Sequence, residues 1–228
     1  VTAKARPVHD VSTPEGRKRA LWDFALADHA ILRLGFQNAH WIGPDLVRTN
    51  NPWPHQLKRW KERGVRTVIN LRGTGRGVPS FYALEEAACR EYGLDLVNFQ
   101  VFSREAPSRD TIFAARDLFR SIAYPALMHC KSGADRAGIM AVLYRHVHLG
   151  EPVRVALQEL SLRKLHVRHG KTGVLDYVFQ RYFADGEPRG MSFLEWVDSP
   201  LYDPVRLKSE FKESWWGTLV TEKLLRRE

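Results

Sequence analysis

Apolar and polar positions follow two alternating periods along the first two-thirds of the chain. From Pro14 to Leu34, Leu21, Phe24, Ala25 and Leu32 lie near one stripe, with Arg17, Lys18 and Asp23 away from it. That pattern predicts an amphipathic helix, begun by Thr13 and Pro14 and stopped by Gly35, that packs on its own domain. Leu46–Arg48 reads as a short strand, Pro54–Arg63 as a helix closed by Gly64, and Val65–Leu71 as a buried, β-branched strand. The alternation continues with Ser80–Tyr92 helical, Leu94–Phe99 extended, Ser108–Ala123 helical, Ala126–His129 extended and Ala134–Leu149 helical. Such an order predicts an α/β fold with a short, mostly parallel central sheet flanked by helices. After Gly150 only helical patterns remain, at Pro152–Arg163, Gly173–Phe183 and Pro204–Leu225, with Trp196, Trp215 and Trp216 in a helical cap. The expected organisation is an N-terminal helical extension over 1–36, a core over 37–165 and a helical C-terminal cap over 166–228, together one compact domain.

Composition narrows this picture. A chain of 228 residues with 44% hydrophobic content can bury a sizeable core. Cys89 and Cys130 are its only cysteines, too few for a disulfide framework, which predicts reduced thiols and a cytoplasmic setting. No apolar run approaches the roughly 18 residues of a membrane span, and no signal-peptide pattern opens the sequence. The net charge of +9 favours anionic partners. Its basic residues are dispersed without a Lys/Arg block or zinc-finger spacing, which argues against nucleic acid as the partner.

The chemistry concentrates in Met128-His129-Cys130-Lys131-Ser132-Gly133-Ala134-Asp135-Arg136-Ala137, a strand, a tight loop and a helix start. In that setting the backbone N–H groups from Lys131 to Arg136 can curl around one anion, with the helix N-terminus adding partial positive charge. Lys131, Ser132, Gly133 and Ala134 would form the phosphate cradle, and Gly133 would supply a positive φ or a close backbone approach. Cys130 at its floor would be held as thiolate and attack phosphorus in line. Arg136, six residues on, would clamp two phosphate oxygens, which the planar guanidinium does and Lys cannot. His129 would orient the loop.

His-Cys, five residues and then Arg resembles the signature loop of protein-tyrosine and dual-specificity phosphatases. Val-Ile-Asn-Leu-Arg-Gly from Val68 to Gly73, and Arg48 with Asn50, Pro52 and Leu57, are similar to segments of the bacterial and lipid-directed members. The resemblance covers most of residues 37–150 and implies the phosphatase α/β fold with extra terminal helices. It also implies phosphate monoester hydrolysis through a phosphocysteine, with no metal or organic cofactor. Asp135, directly before Arg136, is similar to the Asp-Arg loop ending of myotubularins, Sac-type phosphoinositide phosphatases and some secreted bacterial tyrosine phosphatases.

Ordinary members take their general acid from an Asp roughly 30 residues ahead of the cysteine, where a proton donor to the leaving oxygen is needed. Gln100 stands in that neighbourhood here, so Asp135 is the first candidate acid and Glu105 the second. Ala137 replaces the hydroxyl residue that helps many relatives release the cysteine, which implies slow hydrolysis of the phosphocysteine unless Ser132 substitutes. Arg72, Arg76, Arg104 and Lys131 are candidates for a basic rim around the pocket. The expected substrates are phosphotyrosine or phosphoserine/threonine proteins, or inositol phosphates and phospholipid head groups, the latter with peripheral membrane contact. Two further classes stay open, rhodanese-like sulfur transfer and a pseudophosphatase that binds phosphorylated ligands without turnover. Asp28-His29 and His166/His169 invite a metal reading, but neither has a ligand spacing that supports one.

Overall fold

A computed structural model describes residues 9–74 and 79–212. The chain runs through α1 (Pro14–Leu26), a 3₁₀ turn (Ala30–Arg33), β1 (His40–Ile42), β2 (Leu46–Asn50), α2 (Pro54–Glu62), β3 (Thr67–Asn70), α3 (Ser80–Tyr92) and β4 (Asp95–Asn98). It continues through α4 (Arg109–Ser121), β5 (Ala126–Cys130), α5 (Asp135–Leu143), α6 (Val153–Ala156), α7 (Val174–Arg181) and α8 (Phe193–Asp198). Contacts divide it into two units, one of residues 1–101 and 121–141, the other of 102–120 and 142–228.

The first unit holds a five-stranded sheet in the order β1-β2-β5-β3-β4. β2, β5, β3 and β4 run parallel, and β1 closes the β2 edge antiparallel with His40 opposite Arg48. β5 lies between β2 and β3, and every residue of these three strands is buried, the polar Arg48, Thr49, Asn50, Thr67, Asn70 and His129 among them. Val47, Val68 and Leu127 of the sheet pack against Leu57 and Trp60 of α2 and Ala88 and Cys89 of α3. Gly93, at a φ of 63°, ends α3 where the sequence places the stop. β1 escapes sequence reading because it is three residues long and turns Trp41 to solvent.

At the N-terminus the predicted single helix divides. Thr13 caps α1 by accepting the Gly16 N–H at 3.1 Å, and Phe24 and Ala25 pack on Trp53, Phe81 and Tyr82. α1 then ends at Leu26, eight residues before the expected stop. His29 adopts φ 57°, and the chain re-forms as the 3₁₀ turn. The cause is local, because Arg33 donates to the Asp28 carboxylate at 2.5 Å and to the Asp28 carbonyl at 3.2 Å, and that pair needs a turn between its partners.

The second unit is built on aromatic packing. Trp196 is fully buried, with Tyr182 at 5.8 Å and Tyr202 at 5.0 Å between ring centroids, and Phe179 stacks on Phe193 at 5.3 Å. Its helices are shorter than expected. The helix expected over Pro152–Arg163 is the single turn α6 followed by 3₁₀ segments, and α7 passes into a π turn at Tyr182–Gly186. α5 likewise passes into a π turn at Tyr144–His148. The sequence pattern passed over α8, although Ser192 and Glu195 cap each other's backbone N–H groups at its start. The last expected helix is present over 204–212, and its remainder, with Trp215 and Trp216, lies outside the described residues, as does Arg76. Among the described residues no helix is long and apolar enough to cross a membrane.

Candidate active site

β5 delivers His129 and Cys130 at the carboxyl end of the central strand, and α5 begins five residues later at Asp135. Residues 131–134 therefore form the turn, with the open N–H groups of the first turn of α5 at its end. Gly133 has a φ of 73°, and a Cβ there would lie 2.7 Å from the Asn50 backbone nitrogen and the Thr49 carbonyl carbon. No side chain fits, so the loop closes onto the end of β2 only with glycine.

Three groups fasten this loop from outside. Arg48, fully buried on β2, donates one guanidinium nitrogen to the carbonyls of Gly133 at 2.7 Å and Ala134 at 2.8 Å. Asn38 donates to the Ser132 carbonyl at 3.1 Å, and the Asn51 N–H reaches the Lys131 carbonyl at 3.4 Å. These bonds turn the carbonyl oxygens outward to donors and leave the opposite side of the turn to its N–H groups. Sequence reading singled out Arg48 only as part of a segment; its role follows from a separation of 85 residues to Gly133 that no local spacing reveals.

Cys130 is a free thiol, 1% exposed, at the base of the turn. Cys89, also free, is buried in the core under α3, where desolvation and then the charges of Glu85 and Glu86 push its thiol up, far from nucleophilic. His129 is fully buried, its Nε2 2.5 Å from Glu85 Oε1, so α3 anchors the residue preceding Cys130. Arg136 is half-buried and has no carboxylate partner among the described residues. Asp135 opens α5, half-buried, and Ser132 is exposed.

The expected rim residues divide by position. Lys131 keeps 43% of its side chain exposed. Arg72 is nearly buried, lies over the Phe81 ring at 3.5 Å, and donates to Asp28 at 2.9 and 2.7 Å and to Asn51 Oδ1 at 2.5 Å. Asp28 also holds Arg33 at 2.5 Å and lies 3.4 Å from Lys131 Nζ. Burial raises the Asp28 carboxyl, but the bonds and charges of Arg72 and Arg33 outweigh it and lower the pKa to about 2. Asp28 is thus ionised at neutral pH and does not donate a proton there. Gln100 packs beside Gly73, where a Cβ would meet its amide carbon at 2.8 Å.

Arg104 and Glu105 belong to the second unit, where both are exposed and Lys208 donates to Glu105 at 2.8 Å. In the same unit His166 faces Asp176 at 2.6 Å, and Arg168 donates to the other Asp176 oxygen at 2.9 Å. Among the described residues no group of three or more His, Cys, Asp or Glu is arranged to hold a metal ion.

Residues 48–173 match the family of DSP-PTPase phosphatases fused to NAD+ kinase. The chain belongs to this family. It is a phosphatase of the protein-tyrosine/dual-specificity type, and the DSP-PTPase segment opens at the Arg48 that braces the loop. Among solved structures, the DSP-PTPase chain is similar to a DUF442 protein from Shewanella putrefaciens CN-32, 21% identical, over 58% of this chain and 83% of that one, with a TM-score of 0.48. It is also similar to P. aeruginosa TpbA in complex with pTyr, 20% identical over 65% of this chain and 91% of that one, TM-score 0.45. For PTPMT1 the values are 15% identity, 66% and 99% coverage and a TM-score of 0.48. A comparison with curated proteins gives no match.

Proposed function

We propose that this phosphatase hydrolyses phosphate monoesters through a phosphocysteine. The observation that carries the reading is Cys130 at the base of a glycine-closed turn, with Arg136 half-buried six residues on and free of a carboxylate among the described residues. In the first step Cys130 Sγ attacks phosphorus in line and the ester oxygen leaves as an alcohol or phenol, taking a proton from a carboxylic acid. Loop N–H groups and Arg136 hold the equatorial oxygens, where charge accumulates. Water then attacks the phosphocysteine, releases inorganic phosphate and regenerates the thiolate, a step that Ala137 serves without a hydroxyl. Neither step calls for a metal or an organic cofactor. A free thiolate suits a reducing, cytoplasmic setting.

The substrates fitting this chemistry are phosphotyrosine or phosphoserine/threonine proteins, and inositol phosphates or phospholipid head groups, with the half-exposed Lys131 beside the nucleophile as a further cation. Phosphotyrosine peptide, inositol polyphosphate and phospholipid substrates assayed side by side distinguish them. p-Nitrophenyl phosphate should be turned over by the wild type and left intact by Cys130→Ser. Orthovanadate binding without turnover would replace the enzyme by a module that binds phosphorylated ligands.

Asp135 is the proposed general acid and Glu105 the alternative. Asp135→Asn should lose on the order of 10²-fold or more on alkyl phosphates and much less on p-nitrophenyl phosphate, whose leaving group needs little protonation. Equal losses on both substrates would remove Asp135 from the role, and the same comparison with Glu105→Gln decides the alternative.

A further inference from the structure

Asp28 lies outside the family-matched segment, in the turn that divides the N-terminal helix. Its carboxylate gathers the neighbouring Arg33 together with two cations from distant parts of the chain, Arg72 and Lys131. Oδ1 accepts from Arg72 Nη2 at 2.7 Å and lies 3.4 Å from Lys131 Nζ; Oδ2 accepts from Arg33 Nη2 at 2.5 Å and from Arg72 Nη1 at 2.9 Å. Arg33 and Arg72 each expose only 9% of their side chains. Two guanidinium groups and an ammonium in so small a space repel one another, and a single carboxylate is what permits them to converge.

This cluster is tied to the proposed nucleophile by two observations. Lys131 is the residue that follows Cys130. Arg72 donates to the side chain of Asn51, whose backbone N–H bonds the Lys131 carbonyl. The Nε of Arg33, in the same cluster, is buried without an acceptor among the described residues. A salt bridge that only fastened the N-terminal arm would need one arginine and no connection to the loop.

We propose that Asp28 is a positioning residue of the phosphatase site, holding Arg33, Arg72 and Lys131 on one carboxylate so that their combined field is fixed beside Cys130. The proposal rests on the phosphatase reading above. Asp28 touches no substrate and transfers no proton; it acts through the cations it collects.

The test uses the full chain and reads three quantities: kcat and KM on p-nitrophenyl phosphate, inhibition by orthovanadate, and the rate of Cys130 alkylation by anionic iodoacetate relative to neutral iodoacetamide. In Asp28→Asn, checked as folded by circular dichroism, kcat should fall about ten-fold or more with orthovanadate inhibition weakened to a similar degree, because catalysis is sensitive to small misplacements. The preference for iodoacetate should fall with them, and Asp28→Glu should restore part of all three. Arg33→Lys keeps the buried charge and loses the fork, so it serves if Asp28→Asn does not fold; orthovanadate inhibition should weaken several-fold while the melting temperature changes little. A folded Asp28→Asn or Arg33→Lys with orthovanadate inhibition and alkylation preference unchanged overturns the proposal, as does tighter orthovanadate inhibition. Wild-type turnover that Cys130→Ser abolishes secures the phosphatase reading separately, and a wild type without turnover sinks that reading alone.

Discussion

A methyl group at Gly133 has nowhere to go. Its carbon would stand 2.7 Å from the Asn50 nitrogen and the Thr49 carbonyl carbon, both backbone atoms, and φ 73° is a conformation L-residues avoid. Gly133→Ala is therefore expected to cost about 1–3 kcal/mol in strain alone, seen as a lower melting temperature, and to abolish phosphate release because the loop opens when Asn50 moves. Full activity with an unchanged melting temperature would show that the turn tolerates a side chain. At this scale the signature residues were legible because they are contiguous: a cysteine, a glycine and an arginine fall within seven positions. Asp28 and Glu85 were not legible as anchors, since Arg72 stands 44 positions from Asp28, His129 44 from Glu85 and Lys131 farther still from Asp28. Asp28 drew attention only as a metal ligand, and the structure gives it guanidinium groups instead.

Elements bounded by backbone chemistry were predicted well, and those bounded by side-chain pairing were not. α3 begins after Pro79 and stops at Gly93, both visible in sequence. The end of α1 is set by the Asp28 and Arg33 pair, while the apolar spacing runs on past it. That pair gives the N-terminal arm an acid sensitivity. Because the Asp28 carboxyl is more acidic in the folded chain, at a pKa of about 2, than its ordinary value of 3.8, its contribution is complete above about pH 4 and is lost as the pH falls through about 2. Allowing for solvent screening it is on the order of 1–2 kcal/mol. Thermal melts of the wild type from pH 5 to 2 should descend more steeply than those of Asp28→Asn, and parallel curves would show that Asp28 is not the titrating group.

For the molecule as a whole, the order β1-β2-β5-β3-β4 puts the last strand of the sheet between two strands formed much earlier in the chain. The alternation of strands and helices made the α/β class and the parallel sheet readable, whereas the short and π-turned helices of the second unit have no periodic signature to give them away. Insertion of β5 places Cys130 opposite Asn50 and His129 opposite Asn70, the register on which the fastening of the loop depends. A chain that has paired only its first hundred residues holds Arg48, Asp28 and Arg72 but lacks Cys130, the proposed nucleophile, between them. On the proposed mechanism, catalytic competence therefore waits for the closing of the sheet's middle, and a partly assembled form of this chain is expected to leave phosphorylated molecules untouched.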